Sequence, residues 1–403
     1  MRFNITKFGK QRTNRTGKLI ISKNLELNTP LLWFGLSIIE SPNFQKNVFR
    51  SGKIEAFLSN AYDLEYQDVY NKRSRIIHDL QNLFAHKIDS GGFQLMKSSS
   101  HINKLKENYT QKKVLQIQSH YNPDIAVQLD YPLFPDLSHE EQSDRIKGTL
   151  DNYAYVQSHN SRKFDVMPVV HGYNLMQIRR MVNKVIKHNG DNYPSIIGIG
   201  SLVPMVHRMT NTDLLGGKYQ FIDNLLFLRH LLPHSLIHAF GIGGTMTYLA
   251  VYCGVDSLDS NGWVQKSGYG VIQLPGVSDR FLKKKTHNRP YLIHNRKRRG
   301  GKDLLDEIEL FMECECSACA PYHKISDKRK AWHKKRKDFD EPGEKGRLLR
   351  AKHNVALFQS EILEMRNAIN NRGLEAFVEK RLRNGNYLSF FKYIRFFKKL
   401  YNA

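Results

Sequence analysis

Short apolar runs, each about as long as a buried strand, alternate with longer segments of helical spacing through the first two thirds of the chain. The apolar runs lie at 31–35, 83–88, 124–129, 166–170, 195–199, 236–240 and 255–258. Between two of them, Ile178, Met181 and Val185 recur at the spacing of one helix face, and Gly190 is placed to end that helix. The alternation predicts a parallel α/β fold, either an open doubly wound sheet or a closed barrel.

Polar residues and glycines at the ends of these runs separate the two folds. Each of the following residues comes directly after a different apolar run: Asp89, Asp130, His171, Gly200, Gly241 and Asp259. In a barrel the carboxyl ends of all the strands meet at one mouth, whereas an open sheet gathers only a few of them at its switch point. We therefore predict a (β/α)8 barrel of the TIM type.

Three of the four cysteines are crowded together, at Cys314, Cys316 and Cys319. Thiolates at this spacing suit a soft tetrahedral cation, usually Zn²⁺, in a reducing compartment. A fourth ligand must come from elsewhere. His323 and His333 are nearer in sequence, but His353 begins an apolar helical segment that could pack back over the site. We predict a structural Zn²⁺ on the three cysteines and His353, with a metal-free surface cluster as the alternative.

The net charge of +24 and the pI of about 9.7 indicate a polyanionic partner. Residues 280–403 hold 31 Lys and Arg against 15 Asp and Glu, so 16 of the 24 positive charges lie in the last third. A membrane surface is the competing partner, but no lysine-rich amphipathic helix stands out and no apolar run approaches the roughly 20 residues of a membrane span. The N-terminus is polar and basic and lacks a signal-peptide core. We expect a cytoplasmic protein with no membrane partner.

Four basic runs surround the cysteine cluster, at 283–285, 296–299, 328–330 and 334–337. Such runs usually form a solvated face. Four of them within 55 residues, interleaved with Trp332 and His333, instead favour contact with a phosphate backbone. The predicted nucleic-acid contacts are Lys266, Lys283, Lys284, Lys285, Arg296, Lys297, Arg298, Arg299, Lys334, Lys335 and Arg336.

Residues 88–96, Ile-Asp-Ser-Gly-Gly-Phe-Gln-Leu-Met, place a carboxylate, a hydroxyl, two glycines and an aromatic ring on one turn. Two adjacent glycines let the backbone approach a ligand closely or adopt positive φ. The ring of Phe93 could stack on a planar substrate. The alternative is an ordinary Asp-Ser-Gly-Gly turn at the end of a strand, so the rest of the chain must decide.

Five motifs, taken in order, resemble the tRNA-guanine transglycosylase family over roughly residues 80–360. They are Asp-Ser-Gly-Gly-Phe-Gln at 89–94, Asp130, Gly-Ser-Leu at 200–202, Asp-Ser-Leu-Asp at 256–259, and the three cysteines followed by His-Asn at 353–354. The resemblance implies a catalytic barrel over residues 1–300, including an N-terminal lead-in. It also implies a zinc-binding subdomain over residues 301–403, with a basic insertion and C-terminal helices.

The resemblance further implies base exchange at a glycosidic bond, through a covalent intermediate between enzyme and nucleic acid. Asp259 would be the nucleophile and Asp89 the general acid/base, because one carboxylate must attack the anomeric carbon while another carries a proton to the departing base. Asp130 would recognise the edge of a purine, and Phe93 and Phe240 would enclose its faces. The other implied base contacts are Ser90, His171, Gly200, Ser201 and Gly241. The nucleotide would have to turn out of its stack to reach them.

Three departures from the pattern of the tRNA-acting members resemble the DNA-modifying branch of the family. His171 stands where those members have Gln. The loop after Gly200 lacks the Glu that holds a charged aminomethyl arm, which predicts an uncharged incoming base such as a nitrile-bearing, preQ0-like 7-deazaguanine. The segment 260–266 lacks their Pro-Thr-Arg-rich stretch.

We therefore expect DNA as the polymer and a free 7-deazaguanine base as the second substrate. Whether a helper ATPase separates the duplex is not decided by the sequence. A divergent tRNA-guanine transglycosylase is the first alternative. A non-catalytic, zinc-containing nucleic-acid-binding subunit is the second, and the presence of both Asp89 and Asp259 speaks against it. A retaining glycosidase also needs two carboxylates, but the basic composition disfavours a carbohydrate substrate.

Overall fold

The computed structural model of the protein describes residues 1–22, 25–37, 40–66, 72–96, 108–134, 136–160, 164–210, 219–283, 290–293, 296–297, 304–383 and 385–400. Lys284, Lys285, Arg298 and Arg299 lie outside these ranges, as do the side chains of Arg296 and Lys297.

An antiparallel sheet of three strands precedes the barrel. Its strands are β1 (Arg2–Phe8), β2 (Arg15–Ser22) and β3 (Leu25–Thr29). Leu19 and Leu27 of this sheet pack in one cluster with the strands of the barrel. Arg15 donates to Asp256 Oδ1 at 2.9 Å, and Asp256 also accepts from Arg229. Asp256 is therefore a structural carboxylate, directly before the strand that carries Asp259.

A parallel sheet follows in the hydrogen-bonded order β8-β7-β6-β5-β4-β12-β11-β10-β9. Its strands are β4 (Leu31–Gly35), β5 (Ala56–Asn60), β6 (Ala85–Asp89), β7 (Ile125–Val127), β8 (Asp165–Met167), β9 (Val169–Val170), β10 (Ile196–Ile199), β11 (Leu236–Ala239) and β12 (Ser257–Ser260).

The two edges of this sheet belong to one stretch of chain, so the sheet closes. β8 pairs with β7 and β9 pairs with β10, and only Pro168, which has no N–H to donate, separates β8 from β9. Gly198 donates to the carbonyl of Pro168 at 2.8 Å, which continues the ladder across the break. The result is a barrel of eight strands, as the strand ends predicted, and the open doubly wound sheet is excluded.

Helices connect the strands and cover the outside of the barrel. They are α1 (Pro42–Gly52), α2 (Ala61–Tyr66), α3 (Lys72–Gln81), α4 (Gln111–Tyr121), α5 (His139–His159), α6 (Leu175–His188), α7 (Leu202–Thr210), α8 (Gln220–Leu231), α9 (Met246–Tyr252) and α10 (Gly262–Gly268). In α6, Ile178, Met181 and Val185 are buried as their spacing predicted, and the helix ends before Gly190. Asn174 caps its start by accepting a hydrogen bond from Gln177 N.

The last third of the chain packs against the barrel. Its elements are β13 (Val271–Leu274), β14 (Val277–Phe281), β15 (Arg296–Lys297), β16 (Leu304–Leu305), α11 (Glu307–Met312), α12 (Ala320–His323), α13 (Lys328–Asp340), α14 (Glu344–Asn370), α15 (Leu374–Leu382) and α16 (Leu388–Leu400). Val355, Ile362 and Met365 of α14 belong to the same apolar cluster as the barrel helices. The division at residue 300 stays a prediction. Among the described residues, no helix has both the length and the apolar character that crossing a bilayer requires.

Candidate active site

A cleft of about 500 Å³ opens at the carboxyl ends of the barrel strands. Nine of the residues predicted from the sequence line it: Asp89, Phe93, Asp130, Gly200, Ser201, Phe240, Gly241, Asp259 and Lys266. They come from five strand ends and the loops that follow, which are far apart in sequence. The barrel therefore brings the predicted residues to one mouth, as parallel strands require.

Asp259 lies near the end of β12 with both carboxylate oxygens engaged. Gly241 donates its backbone N–H to Oδ1 at 2.6 Å. Lys87 donates to Oδ2 at 2.8 Å, and His238 Nε2 lies 3.0 Å from the same oxygen. Burial alone would raise the pKa of Asp259, but the neighbouring ammonium and imidazole outweigh it and hold the pKa far below its usual range. Asp259 is therefore ionised at neutral pH.

Asp89, at the end of β6, has the opposite electrostatic environment. Removal of its carboxyl from water raises its pKa, and the nearby charges of Asp130 and Asp259 raise it further, to about 7. Two neutral donors reach it: Asn60 Nδ2 donates to Asp89 Oδ2 at 3.2 Å, and the backbone N–H of Ser90 donates to the same carboxyl group. At neutral pH this carboxyl exchanges protons readily, which is the property of a general acid/base.

Asp130 lies next to two polar side chains, Ser90 and His171, and His171 in turn contacts Ser201. Ser90 donates its hydroxyl to Asp130 Oδ1 at 2.9 Å. His171 Nε2 comes within 3.2 Å of Asp130 Oδ2, although without the geometry of a hydrogen bond, and His171 Nδ1 lies 2.9 Å from Ser201 Oγ. The added Cβ of any residue larger than Gly200 would come within 2.4 Å of the His171 ring, so glycine is required there for this packing.

Two of the predicted base contacts are not on the surface of the cleft. Ser90 and His171 are each 0 % exposed and lie behind Asp130 rather than on the wall of the cleft. Their side chains lie next to Asp130, and a contact with a base stays a prediction for both residues. Ser201 lines the cleft at φ +62°, a left-handed conformation that is unfavourable for a residue with a side chain, and its hydroxyl accepts from Leu133 N at 2.7 Å.

Two aromatic rings border the cleft, as the sequence predicted. Phe93 is 47 % exposed and lies 6.3 Å from the ring of Phe134, while Phe240 lines the barrel side of the cleft. The ring of Phe240 lies against Gly198, where an added Cβ would come within 2.3 Å of it. Glycine at 198 thus leaves the space that the Phe240 ring occupies.

The three clustered cysteines meet His353 as predicted from the sequence. Their sulfur atoms lie 3.4, 3.7 and 3.5 Å from His353 Nδ1. Tetrahedral zinc, with Zn–S of about 2.3 Å and Zn–N of about 2.0 Å, places S and N about 3.5 Å apart. His353 Nε2 donates to the carbonyl of Gln273 at 2.8 Å, which leaves Nδ1 as the ligand atom. The four residues therefore fit a zinc ion.

A model of the family described as queuine tRNA-ribosyltransferase matches residues 10–386 of this chain. The chain belongs to this family. The resemblance drawn from the motifs is thereby confirmed, as is the assignment of the chain to a family of transferases.

Curated relatives of the chain are named tRNA-guanine(15) transglycosylase and share about a quarter of its residues. The chain is 25 % identical over 344 residues to the tRNA-guanine(15) transglycosylase of Pyrococcus furiosus, which is 84 % of this chain and 49 % of that protein. It is 24 % identical over 382 residues to the enzyme of the same name from Pyrococcus abyssi, and the match covers 92 % of this chain and 55 % of the relative. For the Archaeoglobus fulgidus enzyme, identity is 27 % over 298 residues, 73 % of this chain and 51 % of the relative. The chain thus spans about half the length of these curated relatives.

The predicted nucleic-acid contacts of this family member differ in exposure. The side chain of Lys334 is 61 % exposed and that of Lys283 is 59 % exposed. Both pair with a carboxylate, Lys334 with Asp338 at 3.5 Å and Lys283 with Asp340 at 2.5 Å. Lys266 pairs with Asp279 at the edge of the cleft. The guanidinium of Arg336 lies 5.8 Å from the ring centre of Trp332.

The prediction for Lys335 is wrong. This residue is 0 % exposed, and its ammonium donates to the carbonyl of Phe311 at 2.5 Å while lying 4.1 Å from the centre of the Phe311 ring. It shares the inward face of α13 with Ala331 and Phe339, four residues to either side. A buried ammonium on that face cannot reach a phosphate.

The sequence did not point to Lys87 and His238, the two side chains that contact Asp259. Both occupy positions inside apolar runs that were interpreted only as barrel core. A signal was present, because a lysine in the middle of a buried parallel strand is rare unless it is paired.

Proposed function

We propose that this protein exchanges a purine base at a glycosidic bond of a polynucleotide, through a covalent intermediate on Asp259. The observation that supports the proposal is the contrast between two carboxyl groups in one cleft. Lys87 and His238 hold the pKa of Asp259 far below its usual range, whereas the pKa of Asp89 is raised to about 7. One group can attack as an anion while the other supplies a proton.

In the first half of the reaction, a carboxylate oxygen of Asp259 attacks C1′ of the target nucleotide as the C1′–N9 bond breaks. The electron pair of that bond stays on N9, and Asp89 protonates the departing base. In the second half, N9 of the incoming base attacks C1′ and passes its proton to Asp89. The C1′–O bond breaks, and its electron pair returns to Asp259.

Recognition of the base falls to Asp130 and the two rings. The carboxylate of Asp130 can accept hydrogen bonds from the N1–H and N2–H of a guanine-like base, and Ser90 fixes one of its oxygens at 2.9 Å. Phe93 and Phe240 supply the apolar faces of the pocket. Gly200 and Ser201 line the cleft and supply backbone groups for the remaining polar edge.

An uncharged 7-deazaguanine is the proposed incoming base. Leu202, Val203 and Pro204 follow Ser201 on the cleft wall, and none carries a carboxylate that could pair with a charged arm. A buried cationic group without a partner would be strongly disfavoured there. A small neutral substituent such as a nitrile fits this wall.

For the polymer, we propose tRNA first. The relatives are named for guanine exchange in tRNA, which favours this alternative over the DNA expected from the sequence. DNA is the second candidate, because residues 171, 201–206 and 260–266 depart from the pattern of tRNA-acting members. On duplex DNA the target base would also have to be unpaired, which is the step for which a helper ATPase is proposed.

Zinc is proposed as a structural ion on Cys314, Cys316, Cys319 and His353. It would join the segment after α11 to α14, and through the hydrogen bond from His353 to Gln273 it would fix β13 as well. Asn354 reinforces this link, because its Nδ2 donates to the carbonyl of Val271 at 3.1 Å and its Oδ1 accepts from Gln273 N at 3.0 Å. The role is to hold the basic helix α13 against the barrel.

A parallel incorporation assay tests the proposal. The full chain is incubated with tRNA, duplex DNA or single-stranded DNA in separate reactions. In one format the free base is radiolabelled guanine, and its entry into the polymer is measured. In the other format the polymer carries labelled guanine, and its release by unlabelled preQ0 is measured. Base exchange in tRNA alone supports tRNA as the substrate, and base exchange in DNA alone supports DNA. Exchange must disappear in Asp259→Asn. A wild-type chain that binds both polymers and exchanges base in neither would favour the non-catalytic binding subunit and refute the proposal.

A further inference from the structure

Beneath the cleft, the interior of the barrel holds a lysine. Lys87 is 0 % exposed, in the middle of β6, two residues before Asp89. Its ammonium donates to Asp259 Oδ2 at 2.8 Å and lies 2.6 Å from His238 Nε2. The rings of Trp33 and Phe240 approach it at 5.5 and 5.1 Å. The cation is thus enclosed by rings, one imidazole and the carboxylate proposed as nucleophile.

His238 links this cation to a second polar layer. Its Nδ1 lies 2.9 Å from Ser257 Oγ, and Trp33 donates its indole N–H to the same hydroxyl at 3.0 Å. Burial and the neighbouring ammonium lower the pKa of His238 to about 4, so the imidazole is neutral at pH 7. The positive charge beside Asp259 is therefore carried by Lys87.

A buried ion pair of this kind is weak evidence for stability, because removing two charges from water costs about as much as their attraction returns. An apolar pair would fill the same space in the barrel. A functional reason for the pair lies in the charge of Asp259, which changes during the proposed reaction. The carboxylate is negative before attack and after release, and it is a neutral ester in between.

We propose that Lys87 is a positioning residue that makes Asp259 a good leaving group in the second half of the exchange. This inference rests on the proposed function. The ammonium stabilises the ionised carboxylate and gains nothing from the ester. It therefore lowers the energy of the free enzyme relative to the covalent intermediate, and the intermediate breaks down quickly in either direction.

The two carboxylate oxygens of Asp259 have different hydrogen-bond partners, which suits them to different roles. Oδ2 accepts from Lys87 and lies near His238, whereas Oδ1 has one donor, the backbone N–H of Gly241. A carboxylate oxygen accepts at two lone pairs, so Oδ1 retains one for attack at C1′. Burial lowers the pKa of Lys87, and the charges of Asp259 and Asp89 oppose that effect. The exchange itself needs only one proton to move, the one carried between the base and Asp89, and takes none from Lys87.

The charged and titratable groups that face Asp259 come from neighbouring strands. They are Lys87 and Asp89 of β6 and His238 of β11, and the charge of Asp89 acts on Lys87 as well. With His238 neutral, replacing Lys87 leaves no cation among these groups. The pKa of Asp259 should then rise. In a plot of kcat/KM against pH, the fall in rate on the acid side (the acid limb) should move to higher pH.

Lys87→Met tests this directly, because it keeps the length of the side chain and removes its charge. At pH 7.5 with saturating polymer and base, the reaction is quenched in denaturant and the covalent adduct is quantified by gel. The adduct fraction should rise about tenfold over wild type, the change expected when the pKa of a leaving carboxylate rises by about one. The acid limb of kcat/KM should also move upward by at least about one pH unit.

Lys398→Met is the matched control, since Lys398 is another buried lysine, bonded to Asn14 and Thr13 on the outside of the barrel. It should lower the melting temperature without changing the adduct fraction or the acid limb. A folded Lys87→Met with wild-type adduct fraction and acid limb would overturn the inference. Absence of any adduct in the wild type would instead refute the proposed function.

If the Lys87→Met chain fails to fold, a measurement on the wild type tests the same inference. The rate of adduct formation should stay level from about pH 6 down to about pH 4, because Lys87 keeps Asp259 ionised there. A fall in that rate with a midpoint near or above the ordinary carboxyl pKa of about 4 would overturn the inference as well.

Discussion

Ser90 donates its hydroxyl to Asp130 at 2.9 Å, so the turn that carries Asp89 also holds the carboxylate proposed to recognise the base. Tyr109 fixes this turn from behind by donating to the carbonyl of Ser90 at 2.5 Å. The group proposed for proton transfer, Asp89, and the group proposed for base recognition, Asp130, are therefore connected through Ser90. A change in the position of the turn would affect both.

Asp130→Asn should weaken the binding of the free base while leaving the fold intact. The amide loses one of two acceptors for the N1–H and N2–H groups, and a lost hydrogen bond to a charged group corresponds to about 10- to 100-fold in KM for the base. Steady-state kinetics at varied base concentration measure it. Asp136→Asn, the same change at an exposed position nearby, should leave KM unchanged. Equal KM values for Asp130→Asn and wild type would remove Asp130 from the pocket.

Asp89→Asn should stabilise the protein at alkaline pH and inactivate it. The folded-state pKa of about 7 exceeds the ordinary value of 3.8, so the contribution of Asp89 to stability is fully present below about pH 4 and is lost as the pH rises through 7. The amide cannot ionise. Because Asp89 keeps some contact with the cleft, we expect a gain of only about 1 to 2 kcal/mol at pH 8, measured by urea unfolding.

The same substitution should reduce base exchange by about 10²- to 10⁴-fold, the usual contribution of a general acid. In the wild type, the rate of base departure should fall as the pH rises above about 7, because Asp89 loses its proton there. A rate that is independent of pH between 6 and 9 would contradict the role of Asp89.

Cys319→Ser should release the zinc and destabilise the C-terminal part of the chain. The thiolate is one of four ligands, and loss of a structural zinc ion removes several kcal/mol of folding free energy. Metal analysis should find one zinc per wild-type chain and much less in the variant, with a lower melting temperature. Cys253→Ala changes the fourth cysteine, which is buried in α9's C-terminal cap, and should keep a full complement of zinc.

Lys334 and Lys335 are neighbours in sequence with opposite expected effects. Lys334→Ala should weaken polymer binding and reduce the dependence of log Kd on log salt by about 0.7 to 0.9, the contribution of one phosphate contact. Lys335→Met should leave that slope unchanged and alter only the stability, because its ammonium is bonded to Phe311. Fluorescence anisotropy at several salt concentrations separates the two. A reduced slope in Lys335→Met would contradict the burial of this side chain.

The strand ends were predictable because of one geometric rule. Parallel strands in a barrel all end at the same mouth, so the polar residues that follow apolar runs, such as Asp89 and Asp259, must converge even though the sequence gives no distances. The metal ligands were predictable for a similar reason, since three cysteines within six residues leave one ligand to find, and His353 begins the helical segment that packs back on them.

The depth of individual side chains was not predictable in the same way. His171 follows a strand like the other site residues, but its ring lies between Asp130 and Ser201 and against Gly200, where it is covered. Lys335 stands within a basic run, yet helical spacing places it between Ala331 and Phe339 on the inward face. In both cases the neighbours that bury the side chain are set by packing across elements, and for Lys335 the four-residue spacing carried the only local signal.

The central claim is that Asp259 forms a covalent bond to the nucleic acid, and peptide mass spectrometry of the quenched reaction tests it most directly. The wild-type chain, incubated with polymer in the absence of incoming base, denatured and digested, should yield a peptide containing Asp259 that carries the mass of the nucleotide sugar. Asp259→Asn should yield none. Base exchange that proceeds with no adduct, or with an adduct on a residue other than Asp259, would contradict the account.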